Sequence, residues 1–154
     1  MAVKDLTNRF AGIAARDAAA QPLVLETAHA TKGCSLEVTV PPEHVVEAAR
    51  ILDASAYLIE AITGVDWLAD KQMEIVYDFT HPGSGERVTI RARVPRHQPE
   101  LPTISQVFPG ANWHERETHD FFGIVFTGHP GLTPLLLPED ALSLIHISEP
   151  TRPY

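Results

Sequence analysis

The stretch NWHERETHDFFGIVFTGHPG, residues 112–131, gathers histidines, carboxylates and aromatic residues into one short window. A helical zinc site of the HExxH type needs two histidines four residues apart, because that spacing puts both imidazoles on one helix face. His114 and His119 are five residues apart, so they would diverge by roughly 140° around a helix. The spacing therefore argues against this zinc motif. A stand-alone metal-dependent hydrolase using His114, Glu115, His119 or His129 is kept as the alternative function.

Acid/base chemistry by two carboxylates would also suit this window. Glu117 and Asp120 lie three residues apart and would share a helix face, where like charges can raise one pKa. Arg116 stands four residues before Asp120, and Glu115 stands four residues before His119, so the spacing predicts a pair within each couple. Such pairs would neutralise the carboxylates. No nucleophile elbow, phosphate-binding glycine loop or dinucleotide fingerprint occurs elsewhere in the sequence.

Charged and aromatic residues are interleaved along this predicted helix. A surface helix normally separates these classes onto opposite faces. Carboxylates beside large apolar side chains indicate burial against another surface, because buried charge must be paired or hydrogen-bonded. A protein-docking surface is therefore the preferred interpretation, and a solvated, self-paired surface helix is the structural alternative. The residues that follow the helical spacing on this side are Trp113, Arg116, Glu117, Asp120, Phe121 and Ile124.

The composition narrows the classes of partner. The chain has 154 residues, 44% of them hydrophobic, which suits a single domain with one core. Its net charge of −8 predicts no binding to nucleic acid or to anionic lipid. No apolar run reaches the ~18 residues of a membrane span, and the first residues do not resemble a secretory signal, so we expect a cytoplasmic protein without direct membrane insertion. The single cysteine, Cys34, excludes a disulfide within the chain and a cluster held by four of its own thiolates.

The first half of the sequence predicts two helices and a hairpin. Residues 3–19 have apolar side chains at helical spacing. PLVLETA and SLEVTV are strand-like runs separated by a Lys32-Gly33 turn, and PPEHVVEAARILDAS opens with prolines as a helix can. YLIEAITGVDWL is extended or mixed.

The second half predicts another hairpin and the helix that contains the charged window. QMEIVYDFT and RVTIRARV alternate apolar and polar residues, with Glu74 or Asp78 able to pair with an arginine across the strands. Three prolines break PRHQPELP, after which a short helix, a break at Pro109-Gly110 and a longer helix follow. The resulting fold class is α+β: a mainly antiparallel sheet with helices packed on one face, followed by a C-terminal helix and an extended segment.

The last residues, LSLIHISEPTRPY, have no period or turn pattern that continues the preceding segment. They resemble translated read-through of a sequencing adapter. We therefore predict one domain over residues 1–141, cut short at its C-terminus, and a non-native tail over residues 142–154.

The charged window also resembles a known family. The pattern of Glu115, Arg116, Glu117, Asp120, Phe121, Phe122 and His129 is similar to that of the 30 kDa subunit family of complex I, the respiratory NADH:quinone oxidoreductase. It is also similar to that of the related subunit of Ech-type energy-converting membrane-bound nickel–iron hydrogenases. VDW, MEIVYDF, VPRHQPELPTISQVFPGANW and FGIVFTGHPGL extend the resemblance to roughly residues 50–140. The chain departs from the family in two ways. Directly after the HPxL segment, where the family usually has a basic residue or proline, this chain has Thr133 followed by Pro134. The family's C-terminal extension is also missing.

The resemblance implies a peripheral-arm subunit with no catalytic centre or cofactor of its own. It would dock on the large 49 kDa-like or nickel–iron subunit beside an iron–sulfur subunit, at the cytoplasmic face of the inner membrane. Iron–sulfur clusters, flavin or the nickel–iron centre would belong to the partner subunits, in an assembly that couples electron transfer to ion translocation. The residues expected to take part in docking are Trp113, Glu115, Arg116, Glu117, Asp120, Phe121, Gly123, His129 and Pro130.

Overall fold

The computed structural model describes residues 3–14 and 23–138. The predicted tail over 142–154 and the end of the first predicted helix, residues 15–19, lie outside them. Two single 3-10 turns lie at Pro42–His44 and at Leu68–Asp70. The helices are α1 (Val3–Ala14), α2 (His29–Lys32), α3 (Val45–Asp53) and α4 (Ala111–Phe122). The strands are β1 (Leu23–Glu26), β2 (Leu36–Thr39), β3 (Leu58–Trp67), β4 (Gln72–Thr80), β5 (Arg87–Pro95), β6 (Glu100–Pro102) and β7 (Val125–Thr127).

Five strands form one sheet in the order β1-β2-β5-β4-β3. Its pairs are antiparallel except for β2 and β5, which run parallel. The short strands β6 and β7 pair in parallel as a second sheet. The α+β fold class and both predicted hairpins are confirmed.

The alternation in β4 and β5 decides which face of the sheet is buried. Met73, Ile75, Tyr77 and Phe79 are at most 1% exposed, as one face of a half-buried strand requires. Helices α1 and α3 contribute apolar residues to the same core, Leu6, Phe10, Ile13, Val45, Ala48, Ala49 and Leu52 among them. The helices therefore cover one face, as the sequence predicted.

The opposite face of β4 carries polar side chains, but Glu74 on this face is shielded from solvent. This side chain is only 4% exposed, because Arg91 and Arg93 of β5 cover it. Arg93 Nε lies 3.1 Å from its Oε1, Arg91 Nη1 lies 3.3 Å from its Oε2, and the Trp67 indole donates to Oε2 at 3.2 Å. The predicted cross-strand pairing of Glu74 with arginine is confirmed, while the arginine stems and the indole exclude water from it.

Three local predictions were wrong or incomplete. The predicted turn at Lys32-Gly33 is the end of the short helix α2, which Gly33 terminates at φ 73°, a conformation glycine adopts at little cost. The predicted short helix before Pro109 is a single turn, with Phe108 N donating to Ile104 O at 2.9 Å. The proline-rich segment forms β6 because its partner β7 arrives from later in the chain, and local sequence carries no signal for that pairing.

Gly64 in β3 packs directly against the Phe122 ring of α4. Its cross-strand partner in β4 is the core residue Ile75, so Gly64 faces the side of the sheet that the helices cover. A methyl group on Gly64 would lie 2.5 Å from Phe122 Cδ2 and 2.6 Å from Phe122 Cγ. The absence of a side chain therefore allows the Phe122 ring to rest on the strand backbone.

We expect Gly64→Ala to lower the free energy of unfolding by about 1–3 kcal/mol, because the Phe122 ring must move out of a packed position. Urea denaturation measures this loss. Gly12→Ala in α1 is the matched control: nothing lies within 4 Å of its added methyl group, and alanine should stabilise a helix by about 0.5–1 kcal/mol. Equal stability of Gly64→Ala and the wild type would show that the close packing is absent.

Candidate functional site

Helix α4 carries the charged window and is fixed at both ends. It begins at Ala111, directly after the predicted Pro109-Gly110 break, and ends where Gly123 adopts φ 68° and donates its N–H to His119 O at 2.8 Å. Thr118 Oγ1 donates to Ile62 O in β3 at 3.0 Å. The helix is therefore attached to the edge of the main sheet by the Thr118 hydrogen bond as well as by the Phe122–Gly64 contact.

Glu115 lies inside the protein with 0% of its surface exposed. Its Oε1 accepts the backbone N–H of Ile104 at 2.7 Å, and its Oε2 is hydrogen-bonded to Thr103 Oγ1. The predicted partner, His119, instead places Nδ1 2.9 Å from Ile124 O. The prediction of a Glu115–His119 pair was wrong, because Glu115 projects from the core-facing side of α4 and binds the turn at residues 103–105.

His129 approaches the same carboxylate from the segment after β7. Its Nε2 lies 3.8 Å from Glu115 Oε2 and 3.3 Å from Asn112 O. Its Nδ1 accepts the Gly131 N–H at 3.0 Å, so a neutral ring carries its proton on Nε2, the atom that faces the two acceptors. Glu115 thus joins α4 to two separate segments, the turn at 103–105 and the residues at 129–131.

Burial raises the pKa of Glu115 from 4.5 to about 7, although the hydrogen bonds from Thr103 and Ile104 favour its charged form. The phenol of Tyr77 is buried in the same region. Burial, and then the nearby charge of Glu115, raise the pKa of Tyr77 well above its ordinary value. A negative charge on Glu115 is therefore held in the core at a cost in free energy.

Arg116 and Asp120 hold the segment at residues 133–137. Arg116 donates from Nε to Thr133 O at 2.9 Å and from Nη2 to Pro134 O at 3.0 Å. Asp120 Oδ2 accepts the backbone N–H groups of three consecutive residues, Leu135 at 2.8 Å, Leu136 at 2.7 Å and Leu137 at 3.2 Å. The predicted Arg116–Asp120 pair was wrong, because each side chain binds backbone groups of this segment instead.

The three N–H donors also determine the ionisation of Asp120. Burial by itself raises the pKa of this carboxyl, but the hydrogen bonds from Leu136, Leu135 and Leu137, aided by His119, outweigh burial and lower the pKa overall. The segment is thus held by a carboxylate that stays charged at neutral pH. The name α4 clip is used below for α4 together with residues 133–137. Five hydrogen bonds join the two parts: Arg116 donates two of them and Asp120 accepts three.

The predicted docking residues fall into two groups. Glu115 and Asp120 are buried, so their carboxyl groups do not reach the surface, and the side chain of His129 is buried as well. Trp113 is 64% exposed, Pro130 is exposed, and Arg116, Glu117, Phe121 and Gly123 are half-buried. The charges of Glu115, Arg116 and Asp120 are satisfied within the chain, where the sequence predicted that a second polypeptide would be needed. The docking role of the set stays a prediction.

Some residues of the site were missed because their signal is weak or absent in the sequence. Thr103 and Ile104 belong to a segment that was predicted as a short helix, and the donors at residues 135–137 are backbone groups, which any residue except proline offers. Thr118 stands three residues after Glu115, a spacing that places the two on one face of the helix. That spacing predicts the shared face but not the hydrogen bond to Ile62.

Metal chemistry is not favoured by this geometry. Within residues 3–14 and 23–138, no group of three or more His, Cys, Asp and Glu side chains could hold an ion. Glu115 binds Thr103 and Ile104, and Nδ1 of His119 faces a backbone carbonyl. In the same part of the chain, no helix is both long enough and apolar enough to cross a membrane.

We expect Glu115→Gln to change how stability depends on pH. The pKa of Glu115 is raised on folding, so its protonation contributes stability that is complete below about 4.5 and is lost as the pH rises through about 7. Between about pH 5 and pH 8.5 the variant should gain roughly 1–3 kcal/mol relative to the wild type, measured by urea denaturation at both pH values. Glu43→Gln, at an exposed position, is the control and should follow the wild type. Parallel pH profiles for Glu115→Gln and the wild type would contradict the buried carboxyl.

We expect Asp120→Ala to release the segment at residues 133–137, because three backbone N–H groups lose a charged acceptor. Hydrogen exchange at Leu135, Leu136 and Leu137 should accelerate by a factor equivalent to about 1–3 kcal/mol. The contribution of the carboxylate should disappear in the wild type as the pH falls through the lowered pKa. The control is Asp53→Ala at the exposed end of α3, which should leave these amides unchanged. Unchanged exchange in Asp120→Ala would mean that the clip does not form.

Comparison with known sequences agrees with the motif. A sequence model of the family described as "Respiratory-chain NADH dehydrogenase, 30 Kd subunit" matches residues 38–153. An NADH-quinone oxidoreductase subunit of Roseiflexus castenholzii is 41% identical over 110 residues, which are 68% of this chain and 63% of that protein. The subunit of the same name from Herpetosiphon aurantiacus is 45% identical over 91 residues, 58% of this chain and 53% of that protein. The chain thus spans less than two-thirds of the length of these curated relatives.

Solved structures with the same fold agree as well. A trypsin-resistant fragment of Nqo5 superposes with a TM-score of 0.65 at 29% identity, over 82% of this chain and 98% of that fragment. A chain of the membrane-bound sulfane sulfur reductase, an archaeal respiratory membrane complex, superposes with a TM-score of 0.65 at 26% identity, over 82% of this chain and 71% of that chain. With residues 38–153 matched, the chain belongs to the 30 kDa-subunit family of respiratory-chain NADH dehydrogenase, as its motif predicted.

Proposed function

We propose that this chain is a peripheral-arm subunit of a complex I-type respiratory assembly or a related energy-converting hydrogenase. It docks on the large 49 kDa-like or nickel–iron subunit, beside an iron–sulfur subunit, at the cytoplasmic face of the membrane. It holds no redox cofactor of its own, and electron transfer coupled to ion translocation belongs to the assembly. Family membership supports this proposal, as does the likeness to Nqo5 and to a chain of an archaeal respiratory membrane complex.

The α4 clip is the surface that we assign to docking. Trp113 on α4 is 64% exposed and Leu136 in the held segment is 57% exposed. Arg116 connects them, because its guanidinium carbon lies 5.8 Å from the centre of the Trp113 ring while its nitrogens bind Thr133 and Pro134. Both apolar side chains are thus displayed from a backbone that hydrogen bonds already fix.

The observation that carries this proposal is an exposed tryptophan on a preorganised backbone. Large aromatic side chains dominate the binding energy of many protein interfaces. A surface that is ordered before binding loses less conformational entropy when a partner arrives. In the charged window, the buried acids fix α4 and the segment that it holds, and the exposed Trp113 supplies contact area.

We expect Trp113→Ala to weaken association with the large subunit by on the order of 2 kcal/mol, or roughly thirtyfold in Kd. The reason is the loss of an aromatic contact with no change in the fold of the free chain. Titration of the labelled chain with purified large subunit measures the Kd.

The matched control is Leu68→Ala. Leu68 is also 64% exposed, but it lies in the 3-10 turn between β3 and β4, away from α4. Its variant should bind as the wild type does. A Trp113→Ala variant with wild-type affinity would remove the clip from the interface, and a wild-type chain that does not bind the large subunit would overturn the proposed function.

A further inference from the structure

A cleft of about 250 Å³ lies between α4 and the edge strand β3. Strand residues 61–64 line one wall, and the other carries His114, Glu117 and the two phenylalanines Phe121 and Phe122. Small-molecule sites usually measure roughly 300–1,000 Å³. The cleft is therefore sized for a single long side chain rather than for a cofactor.

The charge of the cleft comes from Glu117. It is the acid among the described residues that line the cleft, and no lysine or arginine is found among them. The described residues also give Glu117 no ion pair, whereas other acids near β3 have one: Arg87 Nη2 lies 3.0 Å from Glu60 Oε2, and Arg96 Nε lies 3.1 Å from Asp66 Oδ1. A half-buried carboxylate without a cation is a site of negative potential, and a positive group of a partner would complement it.

The rest of the lining also suits a cation. Phe121 and Phe122 are half-buried in the wall of the cleft, and aromatic ring faces attract lysine and arginine heads. Strand β3 pairs only with β4 in the described sheet, so alternate carbonyl groups along its other side point away from the sheet and can accept hydrogen bonds. The Ile62 carbonyl, which accepts from Thr118, already shows this orientation.

The cleft is continuous with the surface assigned to docking. Trp113, Glu117 and Phe121 are spaced by four residues along α4, so they follow one another on the same side of the helix. A partner that covers Trp113 therefore reaches the cleft without a gap. The exposed tryptophan would supply apolar contact, and the cleft would supply a point of charge recognition beside it.

We propose that this cleft receives one basic side chain, lysine or arginine, of the large subunit, with Glu117 as its counter-ion. The inference rests on the proposed function, because it names the chemistry of the group that docking places against α4. A salt bridge enclosed by the two subunits also fixes the register between them, since a shifted arrangement would leave both charges unpaired.

The test compares Glu117→Gln, which keeps the shape, with Glu117→Lys, which reverses the charge. In titrations against the purified large subunit, Glu117→Gln should weaken binding roughly tenfold, and Glu117→Lys roughly a hundredfold or more. The affinity of the wild type should fall more steeply with salt concentration than that of Glu117→Gln. Glu43→Gln removes an exposed carboxylate away from α4 and should match the wild type.

The outcomes separate this inference from the proposed function. Wild-type affinity and salt dependence in Glu117→Gln would overturn the cleft assignment, and if Trp113→Ala still weakens binding, docking through α4 would stand. A wild-type chain that does not bind the large subunit would overturn both. If Glu117→Lys misfolds, shown by a changed circular dichroism spectrum, the isosteric Glu117→Gln variant still decides the question. Restored binding of Glu117→Lys, after one lysine or arginine of the partner is replaced by Glu, would identify the residue that enters the cleft.

Discussion

This site depends on one constraint: the charged side chains of α4, a helix packed against the rest of the fold, must find hydrogen-bond partners. Helix α4 places Glu115 at 0% exposure and Asp120 at 5% exposure, and a carboxylate in such surroundings must find hydrogen-bond donors. Both acids find them in the backbone of their own chain, at Ile104 for Glu115 and at three consecutive leucines for Asp120. Arg116 meets the complementary need by donating to the carbonyls of Thr133 and Pro134.

This arrangement separates the roles of residues that stand next to one another in the sequence. The buried acids join segments that are distant along the chain, because Glu115 holds the turn at 103–105 and Asp120 holds the segment after β7. Trp113 and Glu117 take no part in these hydrogen bonds, and Trp113 is exposed at the surface. In the proposed assembly, the first group therefore determines the shape of the docking surface, and the second group determines what binds it.

The elements of the fold could be predicted where local pattern and final structure agree. The apolar positions of β4 and β5 that the alternation assigned to the core are all buried, and the Pro109-Gly110 break precedes α4 as expected. The parallel pairing of β2 with β5 joins strands far apart in the sequence, and strand β6 depends on β7 in the same way. The helical spacing predicted which residues share a face of α4, but it did not predict which hydrogen bonds their side chains form. Arg116 and Asp120 are spaced as a pair, yet each prefers backbone groups that carry no residue-specific signal.

The hydrogen bonds between Asp120 and residues 135–137 test the central claim most directly. In the uniformly ¹⁵N- and ¹³C-labelled chain, scalar couplings transmitted through hydrogen bonds connect a donor nitrogen with the carbon of the accepting carboxylate. We expect such couplings from the amide nitrogens of Leu135 and Leu136, whose donor distances to Asp120 Oδ2 are 2.8 and 2.7 Å, to the Asp120 carboxyl carbon. Absence of any coupling, together with amides at 135–137 that exchange as fast as in an unfolded peptide, would contradict a site whose charges are satisfied within the chain.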